Sequence, residues 1–151
     1  GEGEEGGDPE KFKEMMDERE HVGRFFYRFR DGESGADAYN RISAYIETMH
    51  REINRPRPPD HPSTTDLLIV LHGLTMRMFC MRYLLWSVEQ FEQVWNPKNC
   101  EFWEFALDPG SGKYRLVTPI PFGKNREEVL PSQMCEVQRG RVPDFSVESG
   151  W

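Results

Sequence analysis

Residues 67–77, Leu-Leu-Ile-Val-Leu-His-Gly-Leu-Thr-Met-Arg, constrain the fold more than any other stretch. Five consecutive apolar residues run into a histidine and a glycine, and then into a helix-forming segment. An apolar run without polar alternation predicts a strand buried on both faces. His72 then sits at the carboxyl end of that strand, where open α/β sheets hold their ligands. The amide N–H groups of Gly73 to Thr75 open the following helix and favour an anion through hydrogen bonding and the helix dipole. On these residues alone, His72 is either a ligand-facing group at such a site or a capping, hydrogen-bonded histidine at a strand end.

The 151 residues suffice for one domain with one core, and 37% hydrophobic residues allow it to fold. A net charge of -7 argues against nucleic acid or an anionic membrane as partner, since both require a basic face. It leaves room for a small phosphorylated molecule held by a few local arginines. The three cysteines, Cys80, Cys100 and Cys135, show no CxxC or metal-ligand spacing. Free thiols in a reducing, cytoplasmic compartment are therefore expected, with no metal or cofactor. No apolar stretch of transmembrane length and no signal-peptide pattern is visible.

Residues 1–8 are a Gly/Glu-rich segment expected to be disordered. Asp8 and Pro9 form a helix start, as N-cap and first helical residue, for a short helix reaching Glu18 or Arg19. The block from His21 to Ser34 is aromatic and basic. After it, Tyr39, Ile42, Ile46, Met49 and Ile53 recur at steps of three and four, the clearest helix in the chain, with Arg41 off the stripe. Four prolines in residues 54–65 mark an exposed connection. A helix from Thr75 to about Trp86 follows the apolar run, and Ser87 with Gln90 forms a capping box for another. Residues 100–107 and 113–118 flank the turn Pro109-Gly-Ser-Gly112 and read as an antiparallel hairpin on a sheet edge. Residues 119–151 show no sustained period and are expected to be a partly ordered polar tail.

Two blocks, Phe26-Tyr-Arg28-Phe-Arg-Asp-Gly-Glu33-Ser34 with Ala36-Asp-Ala-Tyr-Asn-Arg41, and His72-Gly-Leu-Thr-Met-Arg77, resemble the histidine phosphatase superfamily. This is the phosphoglycerate mutase-like group, which includes the bisphosphatase half of the bifunctional phosphofructokinase enzyme. The likeness spans residues 9–118. It implies a three-layer α/β/α sandwich and a phosphohistidine mechanism. In that mechanism a first histidine, from an Arg-His-Gly motif near the N-terminus, takes the phosphoryl group. A second histidine, matched by His72, binds and stabilises the transferring oxygens. The resemblance further implies phosphate or substrate contacts for Arg28, Gly73 and Arg77, and a pocket ordered by Glu33 and Ser34.

Elementary chemistry fits these roles. A transferring phosphoryl group spreads charge over three oxygens, so fixed donors and cations must surround it. Arginine suits this through its planar fork. Each residue also has a plainer reading. Arg28 is otherwise a surface cation, Glu33 a charge complementing a helix N-terminus, and Arg77 an exposed helical arginine.

The sequence departs from the family pattern at several points. It contains no Arg-His-Gly: His21, His50 and His61 stand in Glu-His-Val, Met-His-Arg and Asp-His-Pro. The Gly/Glu run at the start does not match the family's acid/base carboxylate motif, and Arg30 stands where many relatives carry proline. The expectation is an N-terminally incomplete domain, the C-terminal part of a phosphatase or mutase for small phosphorylated metabolites, inactive as this chain alone. The alternatives are a non-catalytic phosphate-binding or regulatory relative, and an unrelated α/β domain.

Overall fold

The computed structural model describes residues 8–22, 25, 34–64 and 66–138. Its helices are α1 (Pro9–Val22), α2 (Gly35–Ile53), α3 (Gly73–Leu84) and α4 (Val88–Glu92). Two antiparallel pairs follow, β1 (Phe105–Asp108) with β2 (Lys113–Leu116) and β3 (Pro121–Phe122) with β4 (Glu128–Val129), and then a 3-10 turn at Ser132–Cys135.

Helix α1 starts where Asp8 caps it, the Asp8 side chain accepting from the Glu10 amide at 3.1 Å. It buries no residue. Helix α2 begins at a capping box: the Ser34 hydroxyl accepts from the Asp37 amide, and the Asp37 carboxylate accepts from the Ser34 amide. Its stripe of Tyr39, Ile42 and Ile46 is buried, as the spacing predicts, and α2 packs on α3. Met78, Cys80, Met81 and Leu84 of α3 complete the centre of the core together with Trp86, Phe91 and Val94. Helix α4 has the expected capping box between Ser87 and Gln90.

The hairpin turns at Gly112, which takes φ +69°, a conformation an L side chain rarely adopts, and donates its amide to the Asp108 carbonyl at 2.8 Å. Tyr83 docks this hairpin on α3. Its ring meets Phe105 edge-on at 5.8 Å, and its hydroxyl accepts from the Tyr114 amide at 2.9 Å.

The structure departs from the sequence expectation in three places. The run 67–71 is not a strand buried on both faces: Leu67, Leu68 and Val70 are 58%, 72% and 87% exposed. Its exposure nevertheless alternates. Ile69 and Leu71 are half-buried and line a groove of about 330 Å³ with Ile42 and Tyr45 of α2 and Phe79 of α3. One face therefore rests on the helices and the other is open, and the backbone of residues 66–71 makes no hydrogen bond to the described residues. Second, among the described residues no parallel sheet occurs and the hairpin pairs with no further strand. Third, residues 119–138, expected to be part of a partly ordered polar tail, send apolar side chains into the core. Ile120, Phe122, Leu130 and Met134 are buried in the core, and the Trp86 indole N–H donates to the Met134 carbonyl at 2.7 Å. Residues 1–7 and 139–151 lie outside the described residues.

Candidate functional site

His72 is the N-cap of α3, with extended backbone (φ −79°, ψ 158°) and no hydrogen bond from its ring to the helix. Histidine is a poor cap, whereas Ser34 and Ser87 satisfy the free amides of α2 and α4 in the same chain. The first α3 amide with a backbone partner is that of Met76, which donates to the His72 carbonyl at 2.8 Å. The amides of Gly73, Leu74 and Thr75 precede it and make no hydrogen bond within the described residues. The exposed imidazole and three free N–H groups thus stand together at the positive end of a 12-residue helix. His72 follows the open run rather than the end of a paired strand, which corrects the expected setting.

The end of α3 is backed by the segment after α4. A methyl group added at Gly73 would stand 3.3 Å from both Asn96 Cγ and Pro97 Cδ, so the glycine makes room for these two residues. Pro97 is half-buried and Asn96 is exposed. Sequence reasoning missed this neighbour, since nothing local in Trp-Asn-Pro-Lys marks a contact 23 positions away.

Arg77 lies one turn into α3 and is not the exposed helical arginine of its plainer reading. It is 1% exposed. Its Nη1 donates to the Val94 carbonyl at 2.8 Å, and its guanidinium lies 4.6 Å from the centre of the Phe91 ring. The cation is buried between α3 and the end of α4, beneath the helix start.

Arg28 and Glu33 lie outside the described residues, but Phe25 before them and Ser34 to Ala36 after them are described. Phe25 is fully buried, edge-on to Tyr39 and Phe91 at 5.9 and 5.7 Å. Its amide donates to Glu92 Oε1 at 2.9 Å, and its carbonyl accepts from the Ala36 amide at 3.0 Å. A methyl group at Gly35 would lie 2.5 Å from the Phe25 carbonyl oxygen and 3.0 Å from Met78 Cε. Phe25 and Ser34 to Ala36 therefore meet beside Phe91 and Met78, and the same Phe91 ring faces the Arg77 guanidinium. Ser34, expected to order a pocket, is buried and serves as the α2 cap.

The three cysteines are free, with Cys80 and Cys135 buried and Cys100 exposed. Burial, and then the neighbouring Cys135, push the Cys80 thiol far above its ordinary value, so it is a core group and not a nucleophile. Among the described residues no group of His, Cys, Asp and Glu side chains is placed to hold a metal ion. No helix among them is long and apolar enough to cross a membrane.

The profile of the histidine phosphatase superfamily (branch 1) matches residues 4–118. The chain is 43% identical over 134 residues to phosphoglycerate mutase-like protein AT74H of Arabidopsis thaliana, covering 88% of this chain and 47% of that protein. It is 44% identical over 108 residues to phosphoglycerate mutase-like protein AT74 of the same plant, covering 71% and 34% respectively. To the broad-range acid phosphatase DET1 of Saccharomyces cerevisiae it is 34% identical over 112 residues, covering 72% of this chain and 32% of that protein. The chain thus spans less than half the length of these relatives. No solved structure matches it.

Proposed function

This chain belongs to the histidine phosphatase superfamily, and from that membership we propose that it supplies the second-histidine side of a phosphoryl-transfer site for small phosphorylated molecules. The observation that carries the reading is the start of α3. There the His72 ring and the amides of Gly73 to Thr75 are all left without a partner among the described residues. These donors suit the equatorial oxygens of a transferring phosphoryl group, whose charge grows towards the transition state. Arg28 adds a bidentate cation, and Glu33 and Ser34 order the pocket. Arg77 acts from below. Its charge, held by Val94 and Phe91, strengthens the positive end of the helix without meeting solvent.

The names of the relatives support both a mutase-like and a phosphatase reading. In the three-layer sandwich implied by the family the run 67–71 is a strand, its open face covered and its free backbone paired. Its alternating exposure and its lack of hydrogen bonds among the described residues support this. Because the sequence holds no Arg-His-Gly, this chain alone forms no phosphohistidine and hydrolyses no phosphomonoester, and its own contribution is phosphate binding.

Calorimetric titration with inorganic phosphate tests the reading. The chain is expected to bind phosphate, and His72→Ala to weaken binding at least tenfold without change in thermal stability. Equal affinity in the variant, or hydrolysis of p-nitrophenyl phosphate by the pure chain, refutes it.

A further inference from the structure

We propose that Asn96 is a further phosphate-contacting residue of the α3 site, its carboxamide donating to an oxygen of the group bound at His72 to Thr75. This rests on the phosphate reading of that site.

The placement follows from Gly73. The Cα–Cβ bond of a helical residue tilts towards the helix N-terminus. The space into which Gly73 would project a side chain therefore lies on the side of the free amides, and Asn96 Cγ occupies it at 3.3 Å. The carboxamide carbon is thus seated beside the donors, not along the flank of the helix. Asn96 is exposed, and its side chain makes no hydrogen bond among the described residues.

The segment that presents it is held on every side. Val94 is fully buried, bridges to Phe122 and has its carbonyl gripped by Arg77. The Trp95 indole N–H donates to the Gly123 carbonyl at 2.7 Å, and Arg126 lies 4.2 Å over its ring. Pro97 fixes its own φ and restricts the backbone of Asn96. A backbone held still before the ligand arrives leaves only the Asn96 side chain to be ordered on binding. A carboxamide also adds an N–H donor without another charge, and it offers its oxygen to a substrate hydroxyl beside the phosphate.

The experiment uses the full chain and inorganic phosphate, followed by the NMR shifts of the Gly73 to Thr75 amides. Asn96→Ala is expected to weaken phosphate binding about tenfold, the scale of one hydrogen bond to a charged group. Asn96→Asp is expected to abolish it by placing a carboxylate against the anion. Neither exposed substitution should move the melting temperature by more than about 2 °C. If Asn96→Ala binds like the parent while His72→Ala does not, the Asn96 assignment is wrong and the phosphate site stands. If phosphate leaves the Gly73 to Thr75 amides of the parent unmoved, both fall.

Discussion

Replacing Leu68 and Val70 together by lysine tests whether the apolar run 67–71 is covered on one face only. Full burial of such a side chain is worth about 1.5–3 kcal/mol. Val70 is 87% and Leu68 72% exposed, so the folded chain withdraws only a small part of each from water. Their joint contribution is therefore about 0.6–1.2 kcal/mol, and the methylene stems of lysine retain some of it. The expected loss is under about 1 kcal/mol, with an unchanged denaturant slope. Ile69 and Leu71 face the groove against α2 and α3, so the pair Ile69→Lys and Leu71→Lys should cost about 3 kcal/mol or more. Urea unfolding followed by tryptophan fluorescence measures both. A strand covered on both faces would lose the full transfer energy of Leu68 and Val70 and bury two unpaired charges. A loss above about 3 kcal/mol for the outward pair would therefore refute the one-sided arrangement.

Arg77→Met should destabilise the chain by about 2 kcal/mol, because the Val94 carbonyl loses its 2.8 Å donor and Phe91 its cation; an unchanged urea midpoint contradicts this. Gly35→Ala places a methyl group 2.5 Å from the Phe25 carbonyl oxygen, where backbone must move, and should cost about 1–3 kcal/mol or prevent folding, as read by circular dichroism. The contribution of Cys80 to stability should be level below pH 9.0, the ordinary value of its thiol, and fall above it. There the unfolded chain releases a proton that the buried thiol keeps, a slope of about 1.4 kcal/mol per pH unit for each such group. Cys80→Ala should flatten that slope, and an identical alkaline profile would exclude Cys80 as its source.

The parts legible in the sequence are those whose signal is local. The α2 stripe, the Ser87–Gln90 capping box and the Gly112 turn each depend on residues within a few positions of one another, and all are present. A continuous apolar run reveals that a segment favours burial but not what lies on its two sides, and among the described residues only one side of residues 67–71 is covered. Residues 119–138 carry no period because Ile120, Phe122, Leu130 and Met134 enter the core one at a time from irregular backbone. At the candidate site His72 and the helix start were legible from their adjacency in sequence. The burial of Arg77 against Val94 and Phe91 was not, nor was the place of Asn96, because each depends on a segment brought from beyond α4.

The closure at Phe25 has a consequence for how such a site can vary. Phe25 and Ser34 to Ala36 meet as the two sides of a stem, joined by a backbone hydrogen bond, a buried aromatic ring and a glycine that admits no methyl group. The core senses that stem and not the number of residues strung between its sides. Lengthening a segment between two fixed ends adds only about 0.6 kcal/mol of closure entropy per doubling. Insertions between Phe25 and Ser34 should therefore cost far less stability than any change at Phe25 or Gly35. The stem fixes where the chain leaves and rejoins the core, so the packing at Phe91 and Met78 can stay the same while the sequence between its sides changes.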